Sequence, residues 1–369
     1  MGSVNIDNTG SGADVTLSSD GTDLLLDGTA VGGALELYAE NPSSPTAPSA
    51  TGTNAVAIGS GATASGTSSI ALATFSETTG NFAVSIGAGA DALGKNSIGI
   101  KGEARYDQTT AIGTNSGTGR SIAGIAGNTS SNAAMALGGS YASGADSLAA
   151  AIANNTSSYG ATGANSVALG YQAKASVNSS VAIGRSTQAS GDYATALGAN
   201  SSSGGSIASG NGSVALGGSL ASGASSVAIG IGSSVSNGAT NTDAVAIGKN
   251  ARASSTSALA VGKDTDATSN EATAIGMSAQ AAGEGAVALG NSKAGGTDSF
   301  AAVIDNNTGS YGATGSNSIA MGYRSKATHT GATGIGYFTQ ATAQETQSIG
   351  SYCIASGLRS SAFGYQAQQ

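Results

Sequence analysis

The stretch SSVAIGRSTQASGDYATALGA, residues 179–199, decides how the chain is read. Its two apolar segments, SVAIG and ATALG, end on Gly184 and Gly198, 14 residues apart. The same anchor stands at Gly170, then at Gly248, Gly262, Gly276 and Gly290, then at Gly322, Gly336, Gly350 and Gly364, with a step of 14 inside each group. An earlier run, Gly59, Ala73 and Gly87, keeps that step. A short period held from one end of a chain to the other marks a solenoid, in which each unit buries itself on its neighbours. Fourteen residues are too few for a helix pair, and the Gly and Ser spacing would break an Ala-rich helix. They suit two short strands and two tight turns. The expected fold class is therefore all-β, a parallel β-roll or β-solenoid of about 22 rungs, on the order of 100 Å long at ~4.8 Å per rung.

Composition agrees and removes other classes. The 369 residues include 59 Gly, no Trp and few charges, so a core of large side chains is not available. There is no Gly-X-Y period, which removes collagen. Net charge is −8; residues 1–50 hold seven acids and no base, and the rest is near neutral with scattered Lys and Arg. Phosphate neutralisation needs a clustered basic face, so no nucleic-acid partner is expected. Cys353 is the single cysteine, so no intrachain disulfide can form. No apolar run approaches the length of a membrane-spanning helix, and MGSVNIDNTGSG has no signal-peptide pattern.

In SVAIG the Val and Ile share one face and the Ala lies on the other. Both faces are apolar, so both should be buried, one inside the roll and one against another chain. Alanine is expected in that intermolecular seam, where it lets backbones approach, and the chain is expected to be an obligate homo-oligomer. Departures from 14 are orderly. GGSYASGADSLAAA (138–151) matches GGSLASGASSVAIG (217–230), with steps of 13. Steps of 19, from Ala151 to Gly170 and from Gly198 to Gly217, read as a rung plus a five-residue loop; 18 separates Gly230 from Gly248. NNTSSYGATGANSVALGYQAKA (154–175) returns as NNTGSYGATGSNSIAMGYRSKA (306–327), ten rungs on. Residues 1–41 read as an acidic β-rich domain with a hairpin signal at Asp20-Gly21. Pro42, Pro45 and Pro48 make 42–50 an extended linker, and 51–369 is the roll.

NAVAIGSGATASG, SSVAIGRSTQASGDYATALGA, DAVAIGKNARASSTSALAVGK and GAVALGNSKAGG resemble the 14-residue head repeats of YadA-like trimeric autotransporter adhesins. The resemblance covers roughly 51–369. It implies a left-handed roll, a parallel homotrimer and a surface that binds host molecules. SFAAxIxNNTxSYGATGxNSIAxGY, at 299–323, is similar to repeats in structural proteins of tailed bacteriophages, especially marine ones. No signal peptide, heptad stalk or barrel strand set is visible, so the expected function is that of a virion fibre adhering to the host cell. Residues 1–41 would attach it to other tail or capsid proteins, and its target would be a host glycan or protein. The alternatives are a bacterial adhesin head and a fibre enzyme that degrades polysaccharide.

No catalytic, cofactor or metal site is expected. GADALGKN (89–96) fits G-x-x-x-x-G-K, but Asn96 stands where magnesium needs a hydroxyl. His329, the single histidine, has no ligand cluster around it and no nucleophile-elbow motif, so it reads as a surface residue. The acids of KDTDATSNE (263–271) read as a solvated turn rather than a glycosidase pair. The N-terminal aspartates lack calcium-loop spacing. Asn154-Asn155-Thr156 and Asn306-Asn307-Thr308 fit glycosylation sequons formally. Tyrosine gives the candidate receptor-binding set. Tyr171, Tyr323, Tyr337 and Tyr365 each follow an anchor glycine, and the last three differ by whole rungs, so their rings should line one edge. Tyr159 and Tyr311 sit in the two matching loops. Such rings could hold a sugar or simply brace one another.

Overall fold

The computed structural model describes residues 4–6, 15–19, 24–26, 29–30, 46–115, 119–123, 133–150, 158–200, 204–230, 237–303 and 310–369. From residue 46 onward these form a parallel β-solenoid, with no helix among the described residues. Two sheets run along it, each of 21 strands. The wide sheet has strands of three to five residues, from Val56–Ile58 to Ser361–Tyr365; the narrow sheet has strands of two, from Ser49–Ala50 to Ile354–Ala355. Each wide strand heads one rung, numbered 1 to 21 in chain order. Strands pair in register with the rungs before and after, as in Ala168↔Ala182 and Ala182↔Ala196. The first wide strand bonds only to Ile70–Leu72 and the last only to Gln347–Ser351, so the sheets are stacks with free ends rather than closed barrels.

The period of 14 is one wide strand, a corner, one narrow strand and a second corner. Side chains alternate across each strand. The middle residue of the wide strand and the second of the narrow strand point inward, and both are usually Ala, as at Ala182 and Ala189, fully buried. The largest side chains wholly inside are Thr, Ser and Cys353. Inward Ser hydroxyls are mostly satisfied locally: Ser69, Ser97, Ser166 and Ser180 donate to the carbonyl three residues back at 2.6–2.7 Å.

This corrects the expected role of alanine. The alanines line the interior of the single chain; the Val, Ile and Leu columns of the wide sheet face outward. Val181 is half-buried and Ile183 is 37% exposed. The two sheets lie so close that only a methyl or hydroxyl fits between them, which leaves branched side chains no place but outside. The first column runs from Val56 to Ile319, with Thr110, Thr195 and Thr273 among its members, and the second from Ile58 to Ile349, while the narrow sheet's outer face carries Glu77, Lys174, Gln188, Arg252, Asp266 and Lys326.

The two corners obey different rules. From narrow to wide strand the count is constant: Ala64 to Ile70, Ala189 to Thr195 and Ala355 to Ser361 are each six positions, and Ala123 to Met135 is the exception. The other corner varies. Ile183 to Gln188 is the ordinary five, but Ile112 to Ile122, Ala150 to Gly160, Leu197 to Ile207 and Ala302 to Gly312 are ten, and Ile229 to Gly238 is nine. At Leu137 to Tyr141, Leu216 to Leu220 and Leu289 to Lys293 the count falls to four, and at Ile100 to Glu103 to three. The five-residue insertions expected from the steps of 19 thus all leave the roll on one side.

The variable corner opens on the anchor residue, which is left-handed: Gly184 has φ 125° and Gly336 has φ 129°. A Cβ on Gly336 would run into the carbonyl of Gly350 one rung on. Ala73 holds the same place at φ 94°. In the N-terminal segment four antiparallel strands, Val4–Ile6, Val15–Ser19, Leu24–Leu26 and Thr29–Ala30, pair in chain order, with Leu17 opposite Leu26. The Asp20-Gly21 turn between them lies outside the described residues. Two substitutions test the packing. Ala73→Gly should stabilise the roll by about 1 kcal/mol through release of backbone strain, raising the midpoint of thermal unfolding. Ala260→Leu, forced between the sheets, should lower it by ~1–3 kcal/mol or more.

Candidate functional site

The variable corner gathers all but one of the enlarged connections and most of the aromatic side chains. Its insertions come in two kinds. At rungs 5 and 10 the chain makes a small antiparallel hairpin, Thr114–Asn115 with Gly119–Arg120 and Ala199–Asn200 with Gly204–Gly205. Each returns through a buried serine: Ser121 Oγ donates to the Ile112 carbonyl and accepts from the Gly139 amide, and Ser206 Oγ does the same with Leu197 and Gly218. At rungs 7, 12 and 17 the loop returns through Gly160, Gly238 and Gly312, at φ 96°, 133° and 98°. A Cβ on any of these would strike the carbonyl of the preceding narrow strand, at Tyr141, Leu220 or Lys293.

Rungs 7, 12 and 17 are five apart, so loops of this kind recur every ~24 Å along the axis of the roll. Each follows a rung whose corner is one residue short, at Tyr141, Leu220 and Lys293. The duplication read at ten rungs is thus two steps of a five-rung period. Its middle copy, Asn237-Gly238-Ala239-Thr240, escaped notice because Asn237 replaces the tyrosine of Tyr159 and Tyr311, and because its step is 18 rather than 19. The sequons at Asn154 and Asn306 lie outside the described residues.

The predicted tyrosines divide. Tyr323 and Tyr337 stack with centroids 5.3 Å apart and planes 14° from parallel. Tyr365 joins them through Tyr352, edge to face at 6.3 Å, and Tyr352 meets Tyr337 edge to face at 5.4 Å. Tyr311 joins through Arg324, whose guanidinium lies 5.8 Å from the Tyr311 ring, 5.2 Å from Tyr323 and 5.3 Å from Phe338. Tyr159 is ten rungs away and belongs to no such cluster. Tyr171, near it, carries Arg185 at 5.8 Å.

Arg324, Phe338 and Tyr352 were missed. They stand two positions past the anchor glycine, in left-handed backbone at φ 53°, 53° and 57°. Phe338 and Tyr352 stack at 5.3 Å, so two adjacent columns, not one, make the ladder. A second column aligned on the same period would have shown them. Within the ladder the Tyr352 phenol is raised above its ordinary value, chiefly by a hydrogen bond to Tyr337, with desolvation second.

The charged residues form separate pairs rather than a catalytic cluster. Arg252 meets Asp266 at 2.9 Å, Lys263 meets Asp264 at 3.5 Å and Arg359 meets Glu345 at 2.8 Å. Asp264 is held below the usual carboxylate range first by its hydrogen bond from Asn250. In GADALGKN the amide of Lys95 donates to Asp107 Oδ1 and that of Asn96 to the Asn81 carbonyl, so these donors join neighbouring rungs and form no phosphate cradle. His329 is exposed at a corner, bonded to Thr328. No group of His, Cys, Asp and Glu among the described residues could hold a metal.

The family model described as the YadA head domain repeat (2 copies) matches residues 50–72, 161–187, 178–201, 239–265, 267–292 and 313–339. YadA head repeats thus recur across residues 50–339 of the roll. No curated protein matches the chain. The matched YadA repeats fall on the ordinary 14-residue rungs and include Tyr323, Arg324, Tyr337 and Phe338, so the ladder decorates the repeat rather than interrupting it. Tyr337→Phe removes the hydroxyl partner of Tyr352. The Tyr352 phenol should then titrate nearer its ordinary value of 10.0 in an ultraviolet pH titration. A group raised on folding adds stability below its unfolded pKa and loses it as pH rises through the folded one. The substitution should therefore remove part of the loss of stability seen above about pH 10.

Proposed function

We propose that this chain is the shaft of a homotrimeric adhesive fibre that binds a host cell surface through its variable corner. The observation that carries the reading is the pair of mainly Val, Ile and Leu columns on the outer face of the wide sheet, which recur over the rungs matched by YadA repeats with threonine at Thr195, Thr273 and Thr333. An exposed apolar strip of that length is incompatible with a monomer in water and fits an intermolecular seam. YadA head domains form homotrimers, and three copies can close such a seam around one axis. The seam is formed by branched side chains, with alanine left to the inside of each roll.

The loops and the aromatic ladder lie on the edge between the wide and narrow sheets, where insertions leave the roll. Surfaces of that kind carry recognition because they vary without disturbing the scaffold. We place the fibre on a bacteriophage virion, with residues 1–41 as the attachment domain. Support comes from the similarity of residues 299–323 to repeats in phage structural proteins. Attachment on a bacterial cell surface is the second reading, favoured by the YadA repeats themselves. No catalytic role is proposed, because the carboxylates stand in separate pairs.

Two measurements test the reading. Sedimentation equilibrium should give three chains per particle. The pair Val245→Asp and Ile247→Asp, on the seam of rung 13, should shift the particle towards monomer, whereas Gln280→Asp on the narrow sheet should not. A monomeric wild-type chain would refute the assembly. Adhesion is tested by Tyr337→Ala with Tyr365→Ala, expected to weaken attachment to host cells at least tenfold. Unchanged attachment with a lowered melting temperature would make the ladder a purely structural brace. Electron microscopy of virions labelled with an antibody to residues 1–50 separates the two locations.

A further inference from the structure

The rungs that hold the aromatic ladder differ in charge from the rest of the chain. Residues 310–369 contain Arg324, Lys326 and Arg359 against the single acid Glu345, in a chain whose net charge is −8. Arg359 is engaged with Glu345. Arg324 is not engaged in that way. Arg105, Arg252 and Arg359 each bond a carboxylate through Nε, whereas Arg324 makes no ion pair among the described residues and rests on the rings of Tyr311, Tyr323 and Phe338.

That arrangement fixes a cation without neutralising it. Three rings restrict the guanidinium, so little conformational freedom remains to be lost when an anion arrives. Its N–H donors stay available for the bidentate contact that guanidinium makes with carboxylate, sulfate or phosphate oxygens. The ladder beside it is stiff, because Tyr323 covers Tyr337 and Phe338 covers Tyr352. With their faces turned on one another, those rings present edges and hydroxyls outward. Tyr365 meets only Tyr352 among the described rings, at nearly a right angle, and is 69% exposed, so it keeps an open face. A charged head, a row of hydroxyls and one open ring therefore follow one another along rungs 18 to 21.

We infer that this surface binds an acidic polysaccharide. The sugar's anionic groups pair with the Arg324 guanidinium, its hydroxyls bond the Tyr337 and Tyr352 phenols, and an apolar sugar face lies on Tyr365. This rests on the adhesive reading above and names its ligand class. A neutral glycan would leave the fixed charge of Arg324 unused. A nucleic acid would need several cations to neutralise successive phosphates, and the ladder offers one unpaired guanidinium beside Lys326.

The test uses the intact chain with four probes: polygalacturonate, dextran sulfate, neutral dextran and a single-stranded oligothymidylate. At least one acidic polysaccharide should bind, more weakly as salt rises, and the two acidic probes separate carboxylate from sulfate recognition. Arg324→Gln should weaken that binding at least tenfold, while Arg252→Gln, which removes a paired cation on the narrow sheet, should leave it within twofold. Arg324 also braces the ladder, so Tyr365→Ala supplies a second variant that removes only the end ring; it should weaken binding several-fold with the melting temperature unchanged. Equal binding of neutral dextran, tighter binding of the oligothymidylate, or wild-type affinity in both Arg324→Gln and Tyr365→Ala would overturn the inference. Its failure is distinct from failure of the adhesive reading. Host-cell attachment unaffected by Arg324→Gln leaves adhesion standing and removes the acidic ligand. Polysaccharide binding without cell attachment does the reverse.

Discussion

The distance between the two sheets governs everything else in this molecule. With only Gly, Ala, Ser, Thr and one Cys inside among the described residues, the roll buries small apolar increments per rung. Such an interior cannot support a long isolated fold in the way a Leu and Phe core does. Two other sources must supply cohesion. One is the ladder of backbone hydrogen bonds, which joins each rung to the next through both sheets. The other, in the homotrimer we propose, is the outer face of the wide sheet, whose Val, Ile and Leu side chains are too large to enter. Interior narrowness and an apolar outer face are thus one constraint seen from two sides.

Much of this was legible in the residues. The 14-residue recurrence of Gly170, Gly184 and Gly198 announced the rung, and the alternation in SVAIG announced strands. Which face was inside could not be read that way, because Ala and Val are both apolar and period-2 patterning has no sign. Only the separation of the sheets assigns alanine inward. Two rungs also broke the period beyond recognition. Gly99 stands in the usual Ala place on a rung that reaches Thr110 after 12 residues, and Thr110 to Met135 spans 25. Once these are counted the roll has 21 rungs, close to the number expected from the period alone.

The candidate site was legible in part, for a related reason. A residue that follows an anchor glycine is conspicuous, so Tyr323, Tyr337 and Tyr365 stood out. Arg324, Phe338 and Tyr352 occupy the left-handed position of the same corner, where glycine, asparagine and serine are the common choices. Large side chains there look accidental in a linear reading. Once rungs are stacked, that position lies beside the first column, and chance residues become a second row of rings. Tyr159 shows the opposite error: its sequence context matches that of Tyr311, yet it has Gln172 where Tyr311 meets Arg324.

The contrast between the two corners has an evolutionary consequence. Because the narrow-to-wide corner keeps one length almost throughout, a chain cut there and rejoined one, five or ten rungs away would still close its ladder. Unequal recombination between similar coding segments can therefore lengthen or shorten such a roll without creating a misfit anywhere along it. The 152-residue interval between Gly170 and Gly322 has the form such an event would leave. Length, in this architecture, is something inheritance can edit as freely as the identity of a surface residue.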